Sequence, residues 1–216
     1  MSLTNSLQMP KHRNIFAAYR KRKTPLVIGI CGRSTSGKST ISKWLQRDFP
    51  NDVIWISTDL FFNIFKPKKA DKDCWSECPS TVDWAKLIAT VKKLKKNKPT
   101  LVPSRNWITV TDKLVEPKPI IIVEGYLIFT HKKLMNLLDK KIFIEVSDFH
   151  MLYRRLLRNN QLGNLKYIME RVIPVSKRFE DKQKLLADVV LDGNNETEHL
   201  YETVLHTLKP KKHRRN

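Results

Sequence analysis

Nine residues constrain this chain more than any others. Gly32-Arg-Ser-Thr-Ser-Gly-Lys-Ser-Thr40 follows a continuous apolar run, Leu26–Cys31, and precedes a segment that puts Ile41, Trp44 and Leu45 on one helical face. A short apolar run of this kind marks a buried parallel strand. Glycines let the intervening loop wrap closely, so that successive backbone N–H groups point at phosphate oxygens, and the start of the next helix adds its positive dipole end. The cradle comprises Gly32, Ser34, Thr35, Ser36, Gly37 and Thr40. Lys38 adds a mobile positive charge for the outer phosphates, and Ser39 offers a hydroxyl to magnesium. A glycine-rich turn without chemistry does not explain Lys38 and Ser39 together.

The rest of the chain continues the strand–helix alternation. Val53–Ser57, Ile120–Glu124, Ile142–Val146 and Val189–Leu191 read as further buried strands. Helices are expected from about Ser80, over 149–158, from about 165 to 184 and over 197–208. Residues 99–118 differ: proline punctuation and β-branched residues around Trp107 predict a β-hairpin insertion. The expected fold class is α/β, a mainly parallel five-stranded sheet covered by helices on both faces. One domain over 24–208 is flanked by basic tails, 1–23 and 209–216.

The formal net charge is +20, and the two tails carry 11 of those charges. Such runs read as solvated tails, with weak, salt-sensitive contact to nucleic acid as the minority reading. No run of 18 apolar residues exists, so no membrane-spanning helix is expected, and the N-terminus lacks a signal-peptide pattern. Three cysteines, Cys31, Cys74 and Cys78, argue against a disulfide framework and fit a reducing, cytoplasmic setting. A homo-oligomer is compatible with the sequence, but no apolar stripe demands one.

Ligands of open α/β sheets bind at the carboxyl ends of the strands, which singles out acids just beyond strand ends. Asp59, in "STDLFFN", is placed to accept the proton of an attacking hydroxyl. Its plainer reading is a turn aspartate. Glu124 ends the run Ile120–Val123, a position suited to holding magnesium directly or through water. Alone, Glu77 reads as an ordinary loop acid. Arg154 and Arg158 share one helix face with Arg155 beside them, suited to stabilising a transferring phosphoryl group or simply to a solvated basic surface.

The set "GRSTSGKST", "STDLFFN", "ECPSTVDW", "IIIVEGYLIF", "YRRLLRN" and "LADVVLDGNN" resembles the uridine kinase family of P-loop nucleoside kinases, including its nicotinamide riboside kinase branch, from about Leu26 to Leu208. The resemblance implies a P-loop kinase fold and transfer of phosphate from ATP, with magnesium, to a ribonucleoside 5′-hydroxyl. By that resemblance Asp59 is the catalytic base, Glu77 grips the ribose hydroxyls where the family usually has Asp, and Glu124 is the magnesium-linked acid. Arg154, Arg155 and Arg158 belong to a lid at about 154–165, and Gly193 and Asn194 lie where adenine packs.

The base-reading region departs from the pyrimidine kinases. Their tyrosine, aspartate and histidine after "VP" are replaced here by Ser104, Arg105, Asn106 and Trp107. Phe62 and Tyr126, in "DLFFN" and "GYLIF", resemble the nicotinamide riboside branch, which stacks aromatics on the base but usually lacks the hairpin. Uridine or cytidine is the first expected acceptor because the hairpin is present, and nicotinamide riboside the second. A nucleic-acid-associated NTPase is the alternative from another class.

Overall fold

The structure, a computed structural model, describes residues 15–62, 78–105, 110–158 and 165–210. Among the described residues seven strands form in chain order: β1 (Leu26–Gly32), β2 (Val53–Ser57), β3 (Thr100–Arg105), β4 (Val110–Val115), β5 (Ile120–Gly125), β6 (Lys140–Glu145) and β7 (Val189–Asp192). The helices are α1 (Ala17–Arg20), α2 (Lys38–Asp48), α3 (Trp84–Lys95), α4 (Lys132–Met135), α5 (Asp148–Arg158), α6 (Leu165–Tyr167), α7 (Ile173–Leu185) and α8 (Thr197–Leu208). A π turn over Ile168–Val172 joins α6 to α7.

The five-stranded sheet runs β2-β5-β1-β6-β7 and every pairing is parallel. Its apolar strands alternate their side chains between two cores. Ile28, Ile30, Ile122 and Ile144 pack with Ile41 and Leu45 of α2 and with Leu200, Val204 and Leu205 of α8. Val27, Cys31, Ile121 and Val123 pack with Leu87, Val91 and Leu94 of α3. Leu87 is fully buried, so truncating it to Ala costs about 2–5 kcal/mol. β1 lies between β5 and β6; the chain leaves β1 for β2 on one side and later leaves β5 for β6 on the other. A crevice therefore opens at the carboxyl ends of the central strands.

The expected hairpin is present as the separate antiparallel pair β3–β4. The helix expected from Ser80 begins at Trp84. Residues 79–81 form a short 3₁₀ turn, and the Asp83 carboxylate accepts from Lys86 N–H at 2.9 Å, capping α3. Residues 15–23, assigned to the N-terminal tail by charge, are docked instead. Phe16 is 1% exposed against Phe49, and Arg20 pairs with the buried Asp52. A basic run hides the apolar Phe16 and Tyr19 between its charges, which is why charge alone misplaces this boundary. Cys31 is a free, buried thiol, whereas Cys78 is disulfide-bonded, which the cysteine count does not anticipate.

Candidate active site

The phosphate loop turns between β1 and α2 through two left-handed residues, Thr35 at φ 60° and Gly37 at φ 101°. This is the backbone conformation that gathers N–H groups into an anion-binding concavity. Lys38 opens α2 and is buried, its ammonium donating to the Arg33 carbonyl at 2.6 Å and to Ser36 Oγ at 3.4 Å. Burial pushes the Lys38 ammonium below its usual range, while Glu124, Cys31 and Asp59 pull it back up.

Register brings the acids to this loop. β5 pairs with both β1 and β2, with Glu124 level with Ile30 on one side and Ser57 on the other. Glu124 is 2% exposed, and its carboxylate accepts from Ser39 Oγ at 3.2 Å. Burial pushes its carboxyl above the ordinary carboxylate range, opposed by Lys38 and by hydrogen bonds from Ser57 and Ser39. The Ser57 hydroxyl also accepts from Asp59 N–H at 3.3 Å, which fixes the turn carrying Asp59. A buried carboxylate beside a hydroxyl at the mouth of a phosphate cradle suits magnesium, which keeps several waters and takes few protein ligands. No group of three or more His, Cys, Asp or Glu that could hold a metal exists among the described residues. One carboxylate and one hydroxyl fit a cation that takes its remaining ligands from phosphates and water.

Two cavities meet at the loop. One, of about 330 Å³, is lined by Thr35, Gly37, Lys38, Ser39, Thr40, Arg154, Arg158 and Thr197. The other, of about 170 Å³, is lined by Ser34, Thr35, Lys38, Ser39, Asp59, Phe62, Glu124, Gly125, Tyr126 and Arg158. Thr35, Lys38, Ser39 and Arg158 belong to both walls.

Arg154 donates to the carbonyls of Gly193 at 2.6 Å, Thr35 at 3.3 Å and Asn194 at 3.4 Å. It therefore ties the loop after β7 to the phosphate loop. Gly193 makes that approach possible: a Cβ there would lie 2.7 Å from the carbonyl oxygens of Ser36 and Glu145. Asn194 accepts from Ser147 N–H at 2.9 Å.

The structure thus gathers Ser34, Thr35, Gly37, Lys38, Ser39, Thr40, Asp59, Phe62, Glu124, Tyr126, Arg154 and Arg158 around one crevice. Arg155 lines neither cavity. Glu77, Asn106 and the lid segment 159–164 lie outside the described residues, as does the Arg105 side chain. Sequence reasoning missed Ser57, Thr197 and Gln183. Gln183 is 2% exposed, donates to the Tyr126 carbonyl at 3.1 Å and accepts from Phe129 N–H at 3.2 Å. Its place in a polar-looking stretch of α7 gave no signal of burial. Arg33, in the phosphate loop, is 2% exposed and anchors it to α5 and α7.

The family model described as Phosphoribulokinase / Uridine kinase family matches residues 27–198. The chain belongs to this family. The kinase is 31% identical over 183 residues to a uridine kinase of Clostridium perfringens, covering 78% of this chain and 88% of that protein. It is 27% identical over 183 residues to a uridine kinase of Chlamydia pneumoniae, covering 78% and 82%. Among solved structures, a possible uridine kinase from Bacillus stearothermophilus superposes with a TM-score of 0.61 at 20% identity, over 80% of this chain and 91% of that one. Phosphoribulokinase from Rhodobacter spheroides gives 0.58 at 12% identity, over 79% and 71%. These likenesses fix the P-loop kinase fold. No helix among the described residues is long and apolar enough to cross a membrane.

Proposed function

We propose that this kinase transfers the γ-phosphoryl group of ATP to the 5′-hydroxyl of a pyrimidine ribonucleoside, uridine or cytidine. The observation that carries this reading is the shared wall of the two cavities. Lys38, Ser39 and Arg158 line both, and Asp59 lines only the smaller. ATP lies along the larger cavity with its γ-phosphate at that wall, and the nucleoside fills the smaller. The uridine kinases among its relatives support this choice of acceptor.

The Asp59 carboxylate accepts the proton of the nucleoside hydroxyl as its oxygen bonds to phosphorus. The bond from phosphorus to the bridging oxygen breaks and ADP leaves. Positioned proton transfer of this kind contributes about 10²–10⁴ in rate. Lys38 and Arg158 stabilise the charge spread over the transferring group, and Arg154 keeps the adenine loop in register with the phosphate loop. Ser39 and Glu124 would hold magnesium, which would supply charge neutralisation to the phosphates.

Phe62 and Tyr126 in the acceptor wall favour a second reading, nicotinamide riboside, whose base is held by stacking. The test is ATP consumption with magnesium against uridine, cytidine, nicotinamide riboside, adenosine and pantothenate. Turnover confined to the pyrimidines supports the first reading, and turnover confined to nicotinamide riboside replaces it with the second. Silence on all five with ATP still bound sinks both.

A further inference from the structure

The turn that follows β5 is held open by a side chain from α7. An ordinary β-turn closes when the N–H of its fourth residue donates to the carbonyl of its first. From Tyr126 to Phe129 those two groups meet the Gln183 carboxamide instead. Its Nε2 donates to the Tyr126 carbonyl at 3.1 Å, and its Oε1 accepts from Phe129 N–H at 3.2 Å. The partners fix the orientation of the amide, since a backbone N–H only donates and a carbonyl only accepts. The Cys31 thiol donates to the same Oε1 at 3.2 Å, with the Tyr126 carbonyl as its alternative acceptor at 3.4 Å. Gln183 is buried, and a buried amide is tolerated only when it is hydrogen-bonded in this way.

The place of these contacts gives them a consequence. The ladder between β1 and β5 ends at the pair Cys31 and Gly125. The next residue on one chain is Gly32 of the phosphate loop, and on the other it is Tyr126, which lines the smaller cavity. Past that pair no β1–β5 main-chain bond sets the spacing between loop and wall, and the Gln183 amide touches both chains there. Ser176, Glu180 and Gln183 share one face of α7 by their spacing of four and three. Ser176 Oγ accepts from Arg33 at 3.0 Å, and Glu180 Oε2 lies 3.4 Å from the same guanidinium. One helix face thus holds the phosphate loop and the turn after β5. Gln183 itself lines neither cavity.

We propose that Gln183 is a positioning residue for phosphoryl transfer, keeping the wall at Tyr126 at the distance from the phosphate loop that in-line attack requires. This rests on the reading of the smaller cavity as the nucleoside site. Without the amide, the Tyr126 carbonyl and Phe129 N–H can bond each other, the turn closes and the wall moves. A misplacement of about 1 Å costs about 10²-fold in rate. No residue from 126 to 129 lines the larger cavity, so ATP binding is spared.

The test compares the full chain with Gln183→Met and Gln183→Glu. Met has a similar length and suits a helix, but removes both amide groups. Glu keeps the oxygen toward Phe129 and, protonated by burial, a hydroxyl toward Tyr126. Gln183→Met is expected to lower kcat/KM for uridine by about 10²-fold while the KM for ATP stays at the parent value, which also shows the variant is folded. Gln183→Glu is expected to recover most of that loss. Crystal structures of the parent and Gln183→Met are expected to show the turn closed and Tyr126 displaced in the variant. Parent-like kinetics of Gln183→Met, an equal loss of affinity for ATP, no recovery in Gln183→Glu, or an unmoved Tyr126 each overturn the proposal. A parent chain silent on uridine sinks the nucleoside reading instead, and the two crystal structures then decide by themselves whether Gln183 sets the wall.

Discussion

The Arg33 guanidinium, inside the phosphate loop and 2% exposed, reaches the Asp148 carboxylate at the start of α5 at 2.7 Å. It also donates to Ser176 Oγ at 3.0 Å and lies 3.4 Å from Glu180 Oε2, both on α7. One buried cation thus ties the phosphate loop to α5 and α7, the helices on either side of residues 159–164. Asp148 is 40% exposed and keeps Lys177, so losing Arg33 leaves mainly Glu180 without its partner. Arg33→Met is therefore expected to lose stability in urea unfolding, but less than the cost of about 3–5 kcal/mol for breaking a fully buried pair. Arg33→Lys keeps the charge but not the fork, and is expected to lose less stability while raising the KM for ATP.

Asp59→Asn removes the proton acceptor while preserving shape. Turnover is expected to fall by about 10²–10⁴. The affinity for ATP, measured by calorimetry, stays near the parent value, because Asp59 lines only the acceptor cavity. Near-normal turnover would remove Asp59 from the mechanism.

Gly193→Ala places a methyl 2.7 Å from two backbone carbonyl oxygens. The loop after β7 must then move away from Ser36, so the carbonyls held by Arg154 shift. A several-fold higher KM for ATP with an unchanged KM for the acceptor is the expected split in steady-state kinetics.

Acid stability is expected to track Asp148. Burial raises its carboxyl, but hydrogen bonds from Lys177 and Arg33 outweigh that and hold it below its usual value of 3.8. A depressed folded-state value contributes stability that is present above pH 3.8 and lost as pH falls through the folded value. Urea midpoints measured downward from pH 4 should fall more steeply for the parent than for Asp148→Asn.

Burial pushes the Cys31 thiol up to about 12. The thiolate is the reactive form, so Cys31 is expected to resist alkylation by iodoacetamide at pH 8 in the native state and to react on unfolding. Mass spectrometry of the Cys31 peptide reads the difference.

Much of the fold was legible because its signals are local. Uninterrupted apolar runs marked the five parallel strands, and the spacing from Gly32 to Ser39 marked the loop. Asp59 and Glu124 drew notice because strand ends are where such sheets bind ligands, and both line the smaller cavity. The missed groups act through contacts distant in sequence. Gln183 grips Tyr126 from 57 residues away, and Arg33 meets Ser176 from 143 away. Nothing in the neighbourhood of either residue announces its partner. The docking of Phe16 was hidden for the same reason, since its contact with Phe49 joins segments that charge patterning treats separately.

The pair β3–β4 forms its own sheet, hydrogen-bonded to no strand of the parallel five. An element hung on the domain in this way can be exchanged without cutting a ladder on which the core depends.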